Sequence, residues 1–215
     1  MKIFHVIKNK IYLGNKTKIR NNLLKNFLEI NINTFNIINI KKISIKLFLY
    51  KKYLKNFFYE KKIFLFISTK NFLREIIYKY ARSLKQYFVC NKWIAGTLTN
   101  SINYKKLLNK SIYLKKKQKM NFTKKEKNIF FKEEFKIETI YGGLRGMHKL
   151  PDLIIITDIK KDKVAVNEAK KLKIKILALL DTDDSPKGID FFIPCNNSSI
   201  VCVKNILKIL FSEIC

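Results

Sequence analysis

Apolar residues along this chain change their spacing in a regular way. Ile63-Phe64-Leu65-Phe66-Ile67 is an unbroken apolar run, Ser68-Thr69-Lys70 reads as a turn, and Phe72, Ile76, Ile77, Tyr80 and Leu84 then recur at helical spacing. Residues 62–91 are therefore predicted to form a strand followed by a helix. Continuous rather than alternating apolarity suits a strand covered on both faces, as in a parallel sheet. The same unit returns further along. Residues 153–156 read as a strand, and 164–172 as a helix with Val164, Ala165, Glu168, Ala169 and Leu172 inward. Residues 174–180 are the next strand and 191–193 a short last one. A closing helix over 198–211 turns Ile200, Val203, Ile206, Leu207 and Leu210 inward. Strands alternating with such helices specify an α/β, doubly wound layer architecture.

Residues 101–140 break that rhythm. Two Lys-rich helical stretches, about 103–119 and 123–139, flank Met120-Asn121-Phe122, with Thr123 as an N-cap. Seventeen helical residues extend ~25 Å, more than the ~17 Å radius of gyration of a compact chain this size. An antiparallel hairpin projecting from the α/β body is expected, the alternative being two ordinary covering helices. Ten Lys between 105 and 127 with a single Glu exceed what solubility requires. The resulting division is a basic N-terminal segment with a first partial strand (1–40), a parallel-sheet domain (41–100 with 141–215) and an inserted hairpin (101–140).

Charge adds a direction to this layout. The 215 residues carry 45 Lys and Arg against 16 Asp and Glu, a formal net charge of +29. Residues 1–150 hold 35 of the basic and 7 of the acidic residues, so nearly all the excess lies there. Such a charge calls for an anionic partner, nucleic acid or an anionic membrane surface. Lys outnumbers Arg by 41 to 4, and Ile and Asn are abundant, the pattern of a very AT-rich gene in an organelle or a reduced bacterium. A single Lys is then weakly informative. Arg20, Arg74, Arg82 and Arg145 carry more weight, because Lys cannot reproduce a planar bidentate fork. Residues 1–28 lack the pattern of an import signal, which favours synthesis in the compartment of use. Four Cys without a CxxC pair, and two His, give no zinc pattern. The longest uncharged run, 191–203, falls short of the ~20 residues a membrane-spanning helix needs. No cofactor or metal is expected.

Lys92-Trp93-Ile94-Ala95-Gly96-Thr97-Leu98-Thr99-Asn100 holds the only Trp. Gly96 would allow close backbone approach to a partner, while Thr97, Thr99 and Asn100 would offer short donors to phosphate or ribose. A tight turn around a core Trp is the alternative. This segment resembles the Trp-Leu-Gly-Gly-Thr-Leu-Thr-Asn signature of the ribosomal protein uS2 family of bacterial type. Further segments follow in family order: Tyr141-Gly142-Gly143-Leu144-Arg145-Gly146-Met147-His148-Lys149-Leu150-Pro151-Asp152, the helix from Val164 to Leu172, Asp181-Thr182 and Ile193-Pro194. Upstream, Ile37-Ile38-Asn39-Ile40 and Ser68-Thr69-Lys70 are similar to its Ile-Ile-Asp-Leu and Gly-Thr-Lys. Tyr12-Leu13-Gly14-Asn15 departs from the family's His-Phe-Gly-His, and Ala95 replaces a Gly.

The resemblance implies a flavodoxin-like doubly wound parallel sheet with an inserted helical coiled-coil hairpin. It also implies a structural constituent of the small ribosomal subunit, bound to small-subunit ribosomal RNA near the head-body junction beside neighbouring ribosomal proteins. The expected RNA contacts are Lys16, Lys18 and Arg20 in the N-terminal segment, Lys41 and Lys42 beyond it, and Lys70 in the first turn. Lys92, Trp93, Thr97, Thr99 and Asn100 would follow from the Trp loop, Lys105 and Lys106 from the hairpin, and Arg145, His148 and Lys149 from the glycine-rich loop. The expected setting is an organellar ribosome, of mitochondrion or plastid, or else the cytoplasm of an AT-rich reduced bacterium.

Two rival readings remain open on the residues alone. Asp158 and Asp181-Thr182-Asp183-Asp184 fall after strands, where doubly wound sheets bind ligands, and could hold Mg²⁺ for phosphoryl transfer. No nucleophile and base accompany them, so no catalytic residue or small-molecule substrate is assigned. Tyr, Phe and Lys interleaved over 46–62 could form an interfacial membrane helix, but Leu47, Leu54 and Phe58 would equally cover the sheet.

Overall fold

A computed structural model of the chain describes residues 11–16, 21–32 and 35–214. The parallel sheet has five strands, β4 (Phe64–Ile67), β5 (Tyr87–Val89), β6 (Leu153–Ile156), β7 (Lys175–Leu180) and β8 (Phe191–Pro194). Their order is β5-β4-β6-β7-β8, the flavodoxin-like 2-1-3-4-5 arrangement. Phe64, Phe66, Leu153, Ile155, Leu177 and Leu179 enter one core with helices α1 (Ile40–Tyr59), α2 (Arg74–Ser83) and α6 (Ile200–Phe211). Leu65, Ile67, Ile154, Ile156, Ile176, Ala178 and Leu180 enter the other. Burial on both faces is the physical reason these strands are apolar at every position.

Most of the expected inward residues are buried, among them Ala165, Glu168, Ala169, Val203, Ile206, Leu207 and Leu210, and the departures lie near the helix starts. In α2 the buried row is Leu73, Ile77 and Ala81, while Phe72 lies exposed. In α5 (Lys163–Lys171) Val166 is buried and Val164 exposed; in α6 Cys202 and Phe211 are buried and Ile200 exposed. Each exposed residue sits at the start of its helix, where it falls before or at the first turn. β5 was not separable from the preceding helix by pattern, being three residues long.

Where one partial strand is expected before residue 40, the described residues hold three. β1 (Leu13–Lys16), β2 (Leu28–Ile32) and β3 (Phe35–Ile38) form an antiparallel sheet in the order β1-β3-β2. Asn, which is depleted in strands, occupies each of them and hides the alternation. Asn36 is fully buried and satisfied in part by donating to the Asn15 and Lys16 carbonyls at 3.0 and 3.3 Å.

The hairpin is α3 (Ser101–Lys117) packed along α4 (Lys124–Tyr141). Tyr104, Leu108, Ser111 and Leu114 form the buried stripe of α3, facing Ile137 and Tyr141 of α4. The Tyr104 and Tyr141 rings stack at 6.1 Å. Thr123 caps α4 in a reciprocal box: its Oγ1 accepts from the Glu126 N–H at 3.4 Å, and Glu126 Oε2 accepts from the Thr123 N–H at 3.0 Å.

Gly142–Leu144 then turns against β5. The Val89 carbonyl accepts from the Ser68 N–H across the sheet at 3.1 Å, so strand alternation leaves the Phe88 carbonyl on the free edge. Gly143 covers it, and a Cβ there would lie 2.1 Å from that oxygen. The chain thereby blunts its exposed strand edge with backbone. Gly143→Ala should lower unfolding free energy by about 1–3 kcal/mol or more, read from urea denaturation. Unchanged stability would mean that the edge is not covered this way.

Candidate nucleic-acid interface

The loop between β5 and α3 is built around one carboxylate. Glu168, on the inner face of α5, is buried. Its Oε1 accepts from Trp93 Nε1 at 3.0 Å and from the Gly96 N–H at 2.8 Å; its Oε2 accepts from the Leu98 N–H at 2.9 Å and the Thr99 N–H at 3.4 Å. Gly96 adopts φ +89, a left-handed conformation that favours glycine, and this lets successive N–H groups converge on the carboxylate. Trp93 and Thr97 are buried, and the Thr97 hydroxyl donates to the Ile94 carbonyl at 2.6 Å. Both were expected to meet RNA; instead their polar groups are spent inside the protein. Lys92, Thr99 and Asn100 remain exposed on the same loop.

At the carboxyl ends of the strands, where doubly wound sheets hold ligands, the protein's own side chains take part of the space, and a cleft of about 400 Å³ lined by Thr69, Asn91, Lys92, Trp93, Lys161 and Asp162 stays open. Lys70 Nζ lies 3.0 Å from Asp158 Oδ2 and donates to the Asn197 carbonyl and Oδ1 at 3.0 and 2.9 Å. Its ammonium is therefore turned inward, toward the protein's own acceptors. The Asp181 to Asp184 turn faces the small N-terminal sheet. Asp184 Oδ2 accepts from the Asp181 N–H at 2.8 Å, and Thr182 Oγ1 accepts from the Asn15 N–H at 3.0 Å. Asn15 Nδ2 donates to Asp183 Oδ1 at 2.9 Å. Gly14 fits against Thr182, whose Cγ2 a Cβ would meet at 2.3 Å. Asp183 and Thr182 fasten β1 to the parallel sheet. Burial pushes the Asp184 carboxyl up to about 6 and raises those of Asp181 and Asp162.

The remaining expected contacts sit mostly at the surface. Lys16, Lys41, Lys42, Lys106, His148 and Lys149 are exposed, as is Arg145. Lys18 and Arg20 lie outside the described residues. Lys105 is half-buried and donates to the His148 carbonyl at 3.1 Å, and with Arg145 and His148 it lines a groove of about 280 Å³ at the hairpin base. Arg145 is paired with Glu138 and donates to Ser111 Oγ at 3.3 Å. Arg74 and Arg82, given weight by the scarcity of Arg but not placed among the expected RNA contacts, line with Arg145 a second cleft of about 580 Å³ between α2 and the base of α4.

A flavodoxin-like sheet with an ion pair of its own at the ligand end, carrying a Lys-rich hairpin clamped at its base, defines a structural module. Residues 6–215 match the family Ribosomal protein S2, and the chain belongs to that family. It is a structural component of the small ribosomal subunit and not an enzyme. Small ribosomal subunit protein uS2 of Carsonella ruddii is 54% identical over 217 residues, spanning the whole of both chains. The proteins of that name from Petrotoga mobilis and Desulfatibacillum aliphaticivorans are each 40% identical, over 152 and 144 residues, covering 69% and 65% of this chain. Those matches span 53% and 49% of the two longer relatives.

Glu168→Ala would strand two buried donors, the Trp93 indole N–H and the Leu98 N–H, and take the acceptor from the half-buried Gly96 N–H. At roughly 1–3 kcal/mol for each buried unsatisfied group, it should cost about 2 kcal/mol or more. Trp93, the only Trp, reports on this loop, and its fluorescence should shift toward that of a solvated indole. A variant as stable as the parent, with unchanged emission, would remove Glu168 from this role.

Asp184 gives a pH dependence. Its folded value is about 6 against an ordinary 3.8, so its stabilising contribution is complete below about pH 4 and is lost as pH rises through 6. Asp184→Asn cannot ionise, so stability relative to the parent should rise between pH 4 and 7 by up to about 3 kcal/mol. Denaturation at the two pH values measures this, and parallel profiles would contradict it.

Proposed function

We propose that this protein binds small-subunit ribosomal RNA near the junction of head and body, through basic residues that surround the Trp93 loop and run out along the hairpin. The observation that carries this is the separation of duties within the basic half of the chain. Lys70, Trp93 and Thr97 are consumed in fixing the scaffold, while Lys92, Thr99, Asn100, Lys106, His148 and Lys149 stay at the surface. Lys16, Lys41 and Lys42 extend the basic surface beside β1 and at the start of α1. Lys105 and Arg145 would meet RNA at the hairpin base, and Lys18 and Arg20 belong to the same proposed contact set.

Contacts of this type go to phosphate and ribose, fixing position and orientation, because A-form RNA is met mainly through backbone, 2′-hydroxyls and shape. The hairpin supplies length: its 17- and 18-residue helices carry charge along about 25 Å. Neighbouring ribosomal proteins would find apolar cover on Ile45, Phe48 and Leu49 of α1, and on the stacked, exposed Phe131 and Phe135 of α4. No helix among the described residues is long and apolar enough to cross a membrane. The buried row Ile43, Leu47, Leu54 and Phe57 of α1 covers the sheet, which is the alternative to an interfacial helix. Of the two settings expected, the end-to-end likeness to the Carsonella ruddii protein favours a bacterium with a reduced, AT-rich genome over an organelle.

Sedimentation of small subunits across a salt series tests the proposal. The chain should remain with the subunit at 200 mM salt. Replacing Lys105, Lys106, Lys115 and Lys116 by Gln should weaken association and flatten its salt dependence by about one unit of slope for each phosphate that is no longer neutralised. Chain left free at low salt would sink the proposal.

A further inference from the structure

We propose that the cleft between α2 and the base of α4 receives one unpaired nucleotide of ribosomal RNA, with Arg74 and Arg82 gripping phosphate and Tyr78 supplying a stacking surface. This rests on the RNA-binding reading above and assigns to it a site formed by side chains that reading does not use.

The chain holds 41 Lys and 4 Arg, and three of those Arg line this one cleft. Where Lys is the default cation, Arg marks positions that need a planar fork, able to present two parallel donors to an anion or to lie flat against a ring. Arg74, Tyr78 and Arg82 follow one another at intervals of four on α2. They form a row about 12 Å long, immediately beside the buried row Leu73, Ile77 and Ala81. All three are exposed. Among the described residues neither Arg74 nor Arg82 has a carboxylate partner: Arg74 donates only to Asn71 Oδ1 at 3.4 Å, and Arg82 donates to the Tyr78 hydroxyl at 2.8 Å. Burial keeps the Cys90 thiol in the cleft neutral, so it supplies no counter-charge.

The aromatic surface is set in place before any ligand arrives. Tyr78 packs edge-on to Phe88 with centroids 5.2 Å apart and planes at 83°. The Arg82 guanidinium carbon lies 5.4 Å from the Tyr78 centroid. Unpaired bases are held by stacking on such rings and guanidinium planes, and a volume of about 580 Å³ is ample for one nucleotide. The same cleft contains Glu75 and Glu138. An acidic peptide would set its carboxylates against these. A nucleotide offers them base amino donors, while its phosphate goes to the Arg forks.

The test uses the full chain in assembled small subunits. Irradiation at short ultraviolet wavelength followed by mass spectrometry should place a nucleotide adduct on the Tyr78 peptide of the unaltered protein. The double variant Arg74→Lys with Arg82→Lys keeps the charge, so its salt slope should match the parent while affinity for subunits falls about tenfold or more. Unchanged affinity in that variant would overturn the proposal. So would a Tyr78 peptide without nucleotide in subunits that retain the chain with a normal salt slope, or a cross-link from Lys79 to an acidic segment of a neighbouring protein. Chain that does not sediment with the subunit at all would instead count against the RNA-binding reading on which this one rests.

Discussion

Glu168 joins the two parts of the molecule that have to keep a fixed relation. It stands on α5, a helix that covers the parallel sheet, and it collects the indole and backbone N–H groups of the loop that leads into the hairpin. α3 begins at Ser101, two residues after the last of those donors. A carboxylate buried without such donors would be strongly unfavourable, and each buried donor left without an acceptor would cost roughly 1–3 kcal/mol. Each side therefore depends on the other, and the direction in which a basic hairpin leaves the sheet is set by a contact that no RNA needs to make. The motif that looked most like a ligand loop is a joint.

The same principle governs the ligand end of the sheet. In doubly wound folds the crevice beyond the strand ends is open to a phosphate or cofactor. Here Lys70 occupies that position with its own ammonium, paired to Asp158 and bonded to Asn197. The Asp181 to Asp184 turn beside it receives β1 through Asn15 and Thr182. The protein's own side chains take up part of the crevice, leaving a cleft of about 400 Å³ at Thr69, Lys92 and Asp162, while the loops and the insertion carry exposed cations. That is consistent with a component of a large assembly, where a domain has to present a rigid surface and no turnover is required.

How much of this was legible in the sequence depended on whether a residue's type also implied its direction. β4, β6 and β7 were readable because strands buried on both faces leave no room for polar residues. The hairpin was readable from Thr123 and the interruption before it. The small antiparallel sheet was not, since Asn15, Asn31 and Asn36 lie within its strands. Lys70, Trp93 and Thr97 have the chemistry of RNA-contacting residues, and nothing local distinguishes an inward ammonium or indole from an outward one. Distant partners decide it for Lys70 and Trp93, Asp158 and Glu168 being 88 and 75 positions away, while the Thr97 hydroxyl turns back on the Ile94 carbonyl three residues before it. One signal was available: an acidic residue on the inner face of a short helix requires buried donors somewhere.

Net charge, taken as a number, says less about this protein than the identity of the residues that carry it. Most of the +29 is Lys in a chain where Lys is abundant at every kind of position, including the interior one at Lys70. Charge of that kind gives affinity that salt weakens and that depends little on which phosphate is met. Arg is different because its plane and its paired donors constrain the partner's geometry. In a composition that has replaced almost every Arg, the three that gather around Tyr78 and Phe88 mark where geometry matters. On the proposed reading, the Lys-rich hairpin would supply general attraction and the Arg-lined cleft would supply register.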